Sequence, residues 1–152
     1  MSETVPIGPD ERDQVLREVA LSLVDAAPSD WQEISLEFTS TVAVDGATLQ
    51  VTRTSGEVAY PSVPGKAVDD LHDLRAAMRE ADKGSWFTAR MKVLRPGKYV
   101  IDFDYDNEPP FDPPLQPSAY WVDFDYFPRS PEHTPDWLRT MLDQEKNSAS
   151  NG

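Results

Sequence analysis

The chain has 152 residues, no cysteine and a formal charge of −13, from 27 Asp and Glu against 14 Lys and Arg. The missing thiols exclude a disulfide framework, a zinc–thiolate centre and a cysteine nucleophile. Acids occur in every segment, and a field of that sign repels nucleic acid and anionic membrane surfaces while steering cationic protein surfaces inward. Four Trp and six Phe argue for one packed domain, expected over residues 10–146, with a loose lead-in over 1–9 and a polar tail over 147–152. No apolar run approaches a membrane span. Met1 to Pro6 lacks the basic-then-apolar layout of a signal peptide, so the expected location is the cytoplasm.

Pro9, Asp10 and Glu11 read as a helix start, with the acids at the positive end of the dipole. Val15, Leu16, Val19, Ala20, Leu23 and Ala27 then recur at helical spacing until Pro28 stops the run. Residues 31–38 alternate, which puts Ile34, Leu36 and Phe38 on one face of a strand. Asp45-Gly46 predicts a hairpin turn between 42–44 and 47–51, and a third short strand is expected over 57–60. A second helix fits 67–81, with Val68, Leu71, Leu74 or Arg75, and Met78 as its buried stripe and Gly84 as a left-handed cap. Residues 86–94 read as a strand, and 95–98 as a turn into the next.

Acidic and aromatic residues alternate twice after that turn, over 99–106 and 120–127. Read as strands, these segments place Tyr99, Ile101, Phe103, Tyr105, Tyr120, Val122, Phe124 and Tyr126 in the core. The opposite face receives Asp102, Asp104, Asp106, Asp123 and Asp125, together with Trp121 and Phe127. If the two strands are neighbours, the like charges cost stability, a cost that a positive partner would offset. Residues 107–117 hold five prolines and form a stiff loop with Phe111 and Leu115 at its exposed middle, flanked by Glu108 and Asp112. Thr134 as N-cap and Pro135 at the first helical position start a short final helix that buries Trp137, Leu138, Met141 and Leu142. The order is α-β-β-(β)-α-β-β-β-α, an α+β fold with a mostly antiparallel sheet and helices on one face.

Catalytic signals are weak. His72 sits among Asp69, Asp70 and Asp73 on a helix, which is a solvated face, and His133 sits beside the Thr134 cap. The carboxylates look mutually alike, whereas glycosidase chemistry needs one with a raised pKa in an apolar cleft. Residues 104–108 offer hard oxygen ligands but lack the spacing of a calcium loop, so no dedicated metal site is expected. No glycine-rich phosphate cradle follows a strand, and no cofactor is expected. Arg53, Arg90, Lys92 and Arg95 read as isolated solubility and edge-protecting cations. Aromatics interleaved with charges on an exposed face suit an interface, so the expected partner-binding residues are Asp102, Asp104, Asp106, Glu108, Phe111, Asp112, Trp121, Asp123 and Asp125.

Three segments, Gly84-Ser85-Trp86-Phe87-Thr88-Ala89, Pro96 to Asp106 and Tyr126 to Trp137, resemble the YezG-like immunity proteins of bacterial polymorphic toxin systems. They are also similar to antitoxins against NAD-degrading toxins of the tuberculosis necrotizing toxin type. The resemblance covers residues 84–141, and the first half only in element order; the proline-rich loop departs from it. It implies a non-enzymatic cytoplasmic protein that binds a cognate toxin domain and blocks its active site. Two other readings stand beside it: an enzyme binding a metal or small molecule in the acidic cleft, and an adaptor domain with no toxin partner.

Overall fold

The structure, a computed structural model, describes residues 9–151, so the expected lead-in lies outside the described residues up to residue 8. Helix α1 (Pro9–Ala26) begins at the proline and ends before Pro28, burying Leu16, Val19, Ala20 and Leu23. Strands β1 (Trp31–Ser40), β2 (Asp45–Arg53) and β3 (Val58–Ala59) follow, then α2 (Gly65–Ala77), β4 (Thr88–Leu94) and β5 (Lys98–Asp104). Helix α3 (Pro117–Tyr126), a 3-10 turn at Pro131–His133 and α4 (Asp136–Asn151) complete an α+β fold. The sheet runs β3-β2-β1-β4-β5 with every pair antiparallel.

Register explains the core. Residues directly opposite on neighbouring strands share a face, so Leu49, Leu36, Met91 and Ile101 form one row across the sheet, and Val51, Ile34, Val93 and Tyr99 the next. These rows join the buried stripes of α1 and α2 in one cluster, where Trp86 lies between Phe38 at 6.0 Å and Phe103 at 5.2 Å. A second, smaller cluster holds α3 and α4 together: Phe87, Tyr120 and Trp137 meet edge to face at 5.4–6.1 Å, with Leu138 and Leu115 beside them.

Several expectations need correction. The segment 120–127 is the helix α3 and not a strand. A run with aromatics at every second place also contains the helical spacing, and Tyr120, Asp123 and Phe127 point inward at i, i+3 and i+7. Pro117 at the first turn fixes the helical entry, and burial of Tyr120 against Phe87 and Trp137 rewards it. The hairpin turn is Thr41–Val44, closed by Thr41 N–H donating to Val44 O at 2.8 Å, while Asp45 and Gly46 already pair with Ser40 and Thr39. Gly46 is there for closeness: a Cβ on it would stand 2.8 Å from Thr39 Oγ1. α2 ends at Ala77 because residues 80–84 close a tight turn with Gly84 at φ +67°. Thr134 gives its hydroxyl to Ser130 O at 2.9 Å, and α4 continues to Asn151 through the segment read as a polar tail.

Candidate partner-binding surface

Asp102 and Asp104 lie on the sheet face away from α1 and α2, as the alternation predicts, but their neighbour is a cation. The cross-strand partner of Asp102 is Arg90, which itself faces Glu37 on β1. Arg90 Nε donates to Glu37 at 3.1 Å, and its Nη1 is 3.5 Å from Asp104. With no second acidic strand alongside, the expected like-charge cost is absent, and this face carries mixed charge.

Asp104 has a structural task. It accepts the main-chain N–H groups of Asp106 (3.1 Å) and Asn107 (3.0 Å) and the Asn107 side-chain amide (3.0 Å), so it fixes the start of the proline-rich loop. Burial pushes its carboxyl upward, but the bonds from Asn107, Asp106 and Arg90 outweigh this and hold it below its ordinary value near 3.8. A depressed folded pKa means stabilisation that is complete above the unfolded value and is lost as pH falls through the folded one. Asp104→Asn is therefore expected to flatten the fall in unfolding free energy below about pH 4, measured by urea titration at successive pH values.

Asp106, Glu108 and Asp112 are exposed along the loop, whereas Phe111 and Leu115, expected at an exposed tip, are half-buried. The loop folds back towards the β1–β2 hairpin, and Phe111 lies so near Gly46 that a Cβ there would touch its ring at 3.5 Å. Loop and hairpin enclose a groove of about 660 Å³ lined by Phe111, Leu115, Val44, Ala47 and Glu37 among others. Phe111→Ala is thus expected to lower stability by about 1–2 kcal/mol, the value of a half-buried ring, read as a reduced melting temperature of the isolated chain.

Asp123 is the largest correction. It was expected on an exposed acidic face, yet its side chain is 4% exposed and forms a two-pronged ion pair with Arg75 of α2, at 2.7 and 2.8 Å. The same carboxylate accepts the N–H of Val42 at 2.8 Å, from the β1–β2 turn. Arg75, in turn, donates to Trp86 O at 2.6 Å and lies over the rings of Phe127 (4.9 Å) and Phe87 (5.3 Å). Three chain segments are locked at this point. Phe127, expected beside Trp121 on the exposed face, is buried under Arg75. The one sequence signal for the pair was an arginine within the apolar stripe of the second helix. Nearby, burial pushes the Tyr120 hydroxyl up to about 12, with Glu108 and Asp123 adding to the effect.

The opposite side of α3 is unlike the rest of the surface. Trp121 is 44% exposed, Val122 39% and Tyr126 63%, and Asp125 is exposed between them. At i, i+1, i+4 and i+5 these four form one continuous patch on the helix. Beside it, Tyr126 and Phe127 line a cleft of about 250 Å³ with Val42, His72, Ala76 and Arg79. His72 is held there by Asp45, at 2.9 Å from its Nδ1. Of the expected site residues, then, Trp121 and Asp125 come together on α3. Asp106, Glu108 and Asp112 follow the loop, Asp102 and Asp104 the sheet face, and Phe111 and Asp123 turn inward. Tyr126 and Val122, expected in the core, belong to the exposed patch.

Among the described residues no group of three or more His, Cys, Asp or Glu side chains is placed to hold a metal ion, and no helix is long and apolar enough to cross a membrane. Comparison with protein-family models and with curated proteins gives no match.

Proposed function

We propose that this chain is an immunity-type inhibitor: in the cytoplasm it binds a basic toxin domain through the outer face of α3 and occludes the toxin's active site. One observation carries this reading. Trp121, Val122 and Tyr126 are displayed to solvent on a helix whose inner face is fixed by the Arg75–Asp123 pair. Large rings on a pre-ordered element lose little entropy on binding, which is the condition for an interface hot spot. The charge of −13 gives the approach its direction, because a cationic partner is drawn towards the surface that bears Asp125 and the acidic loop. The resemblance of residues 84–141 to antitoxins makes an NAD-degrading toxin the preferred partner, and the role proposed for the chain is non-enzymatic.

The reading is tested by co-expression with the toxin domain encoded beside this chain's gene. Wild-type chain is expected to restore growth, and the double variant Trp121→Ala/Tyr126→Ala to fail at equal soluble expression. A neighbourhood without a toxin gene, or growth arrest in the presence of the wild-type chain, would refute it.

A further inference from the structure

Phe87 carries two guanidinium groups over its ring, Arg75 at 5.3 Å and Arg129 at 5.0 Å. Arg75 has Asp123 as its counter-ion. Arg129 is 7% exposed and makes no ion pair among the described residues. Its only hydrogen-bond partners there are main-chain carbonyls, His133 O at 3.1 Å and Ser85 O at 2.9 Å. Carbonyls orient a guanidinium but do not neutralise it, and a buried charge is costly unless it is paired. Burial accordingly pulls the pKa of Arg129 down, against a weaker opposing pull from Asp106 and Asp123.

Arg129 also forms part of the wall of a cavity of about 310 Å³ whose other lining residues are Lys83, His133, Tyr105, Glu80 and Asp106. That volume is at the small end of ligand sites. Its formal charges balance, two positive and two negative. A ligand with several negative charges would meet Glu80 and Asp106, and a plain cation would meet Arg129 and Lys83. A molecule with one charge of each sign satisfies both pairs, and Arg129 keeps three of its five N–H donors for a carboxylate beyond those given to His133 O and Ser85 O.

We propose that this cavity binds a free α-amino acid, its carboxylate taken by Arg129 and Lys83 and its ammonium by Glu80 and Asp106. The Tyr105 ring, half-buried in the wall, offers apolar surface to the ligand's side chain. The site is independent of the α3 patch and stands whether or not the chain is an inhibitor.

The test titrates the isotope-labelled full chain with free amino acids at constant ionic strength and follows its backbone amide resonances. Saturable shifts are expected at Lys83, Ser85, Tyr105 and Arg129 for at least one amino acid. Its N-acetyl and carboxamide derivatives, each lacking one charge, should bind at least about tenfold more weakly, consistent with loss of a charge-assisted hydrogen bond. Lys83 is exposed, so Lys83→Glu should abolish the shifts and leave the rest of the spectrum in place. Arg129→Gln should do the same, and Lys83→Glu decides the matter if that variant does not fold. Linear, unsaturable shifts with every amino acid, equal binding of either derivative, or unaltered binding to Lys83→Glu would each overturn the proposal.

Discussion

Asp123→Ala is expected to destabilise the chain by about 3–5 kcal/mol, the cost of leaving a buried charge without its partner. The carboxylate does more than neutralise Arg75. It also accepts the Val42 N–H, so its removal leaves a buried guanidinium and a main-chain donor unsatisfied together. Arg75→Met should be comparably harmful, because it strands Asp123 and removes the bond to Trp86 O. The double variant Arg75→Met/Asp123→Ala removes both charges at once, and its loss should fall short of the sum of the single losses by about 2 kcal/mol. Urea denaturation of the four proteins at neutral pH checks this. Strict additivity would mean that the two side chains stabilise the fold independently, contrary to their geometry.

Trp121→Ala and Tyr126→Ala should behave in the opposite way. Tyr126 is 63% exposed and Trp121 44%, so Tyr126→Ala should leave the melting temperature nearly unchanged and Trp121→Ala should lower it only slightly, alanine being the better helix former. Binding should suffer instead. Each truncation is expected to cost about 2 kcal/mol of affinity for the partner, close to thirtyfold in Kd. Asp125→Lys should act chiefly on the association rate and should reduce its dependence on salt, because exposed charge governs encounter more than residence. A fall in melting temperature that accounts for the whole loss of binding would make Trp121 and Tyr126 structural residues.

These two predictions concern a helix that the sequence presents ambiguously. α1 was legible because its apolar positions fit only the helical period and Pro28 marks its end. β1 and β5 were legible because a turn signal, Pro28 before the one and residues 95–98 before the other, precedes their alternation. Residues 120–127 satisfy both periods, and the choice is made by Pro117 and by Phe87 and Trp137, which lie far away in the chain. The role of Asp123 depends on Arg75, 48 positions earlier, and no local pattern joins them. The mixed charge of the open sheet face depends on register: Arg90 falls between Glu37 and Asp102 only once β4 is paired on both sides. Phe111 was misplaced because loop composition predicts stiffness but not the direction in which the loop folds.

The most direct test of the inhibitor reading is a titration, with the purified chain, of the catalytic activity of the toxin domain proposed as its partner. Turnover should fall linearly and vanish near a one-to-one ratio, and the Trp121→Ala/Tyr126→Ala protein should leave activity intact at that ratio. A saturated complex in which the toxin keeps its full activity, or inhibition that survives the double substitution, would contradict the account.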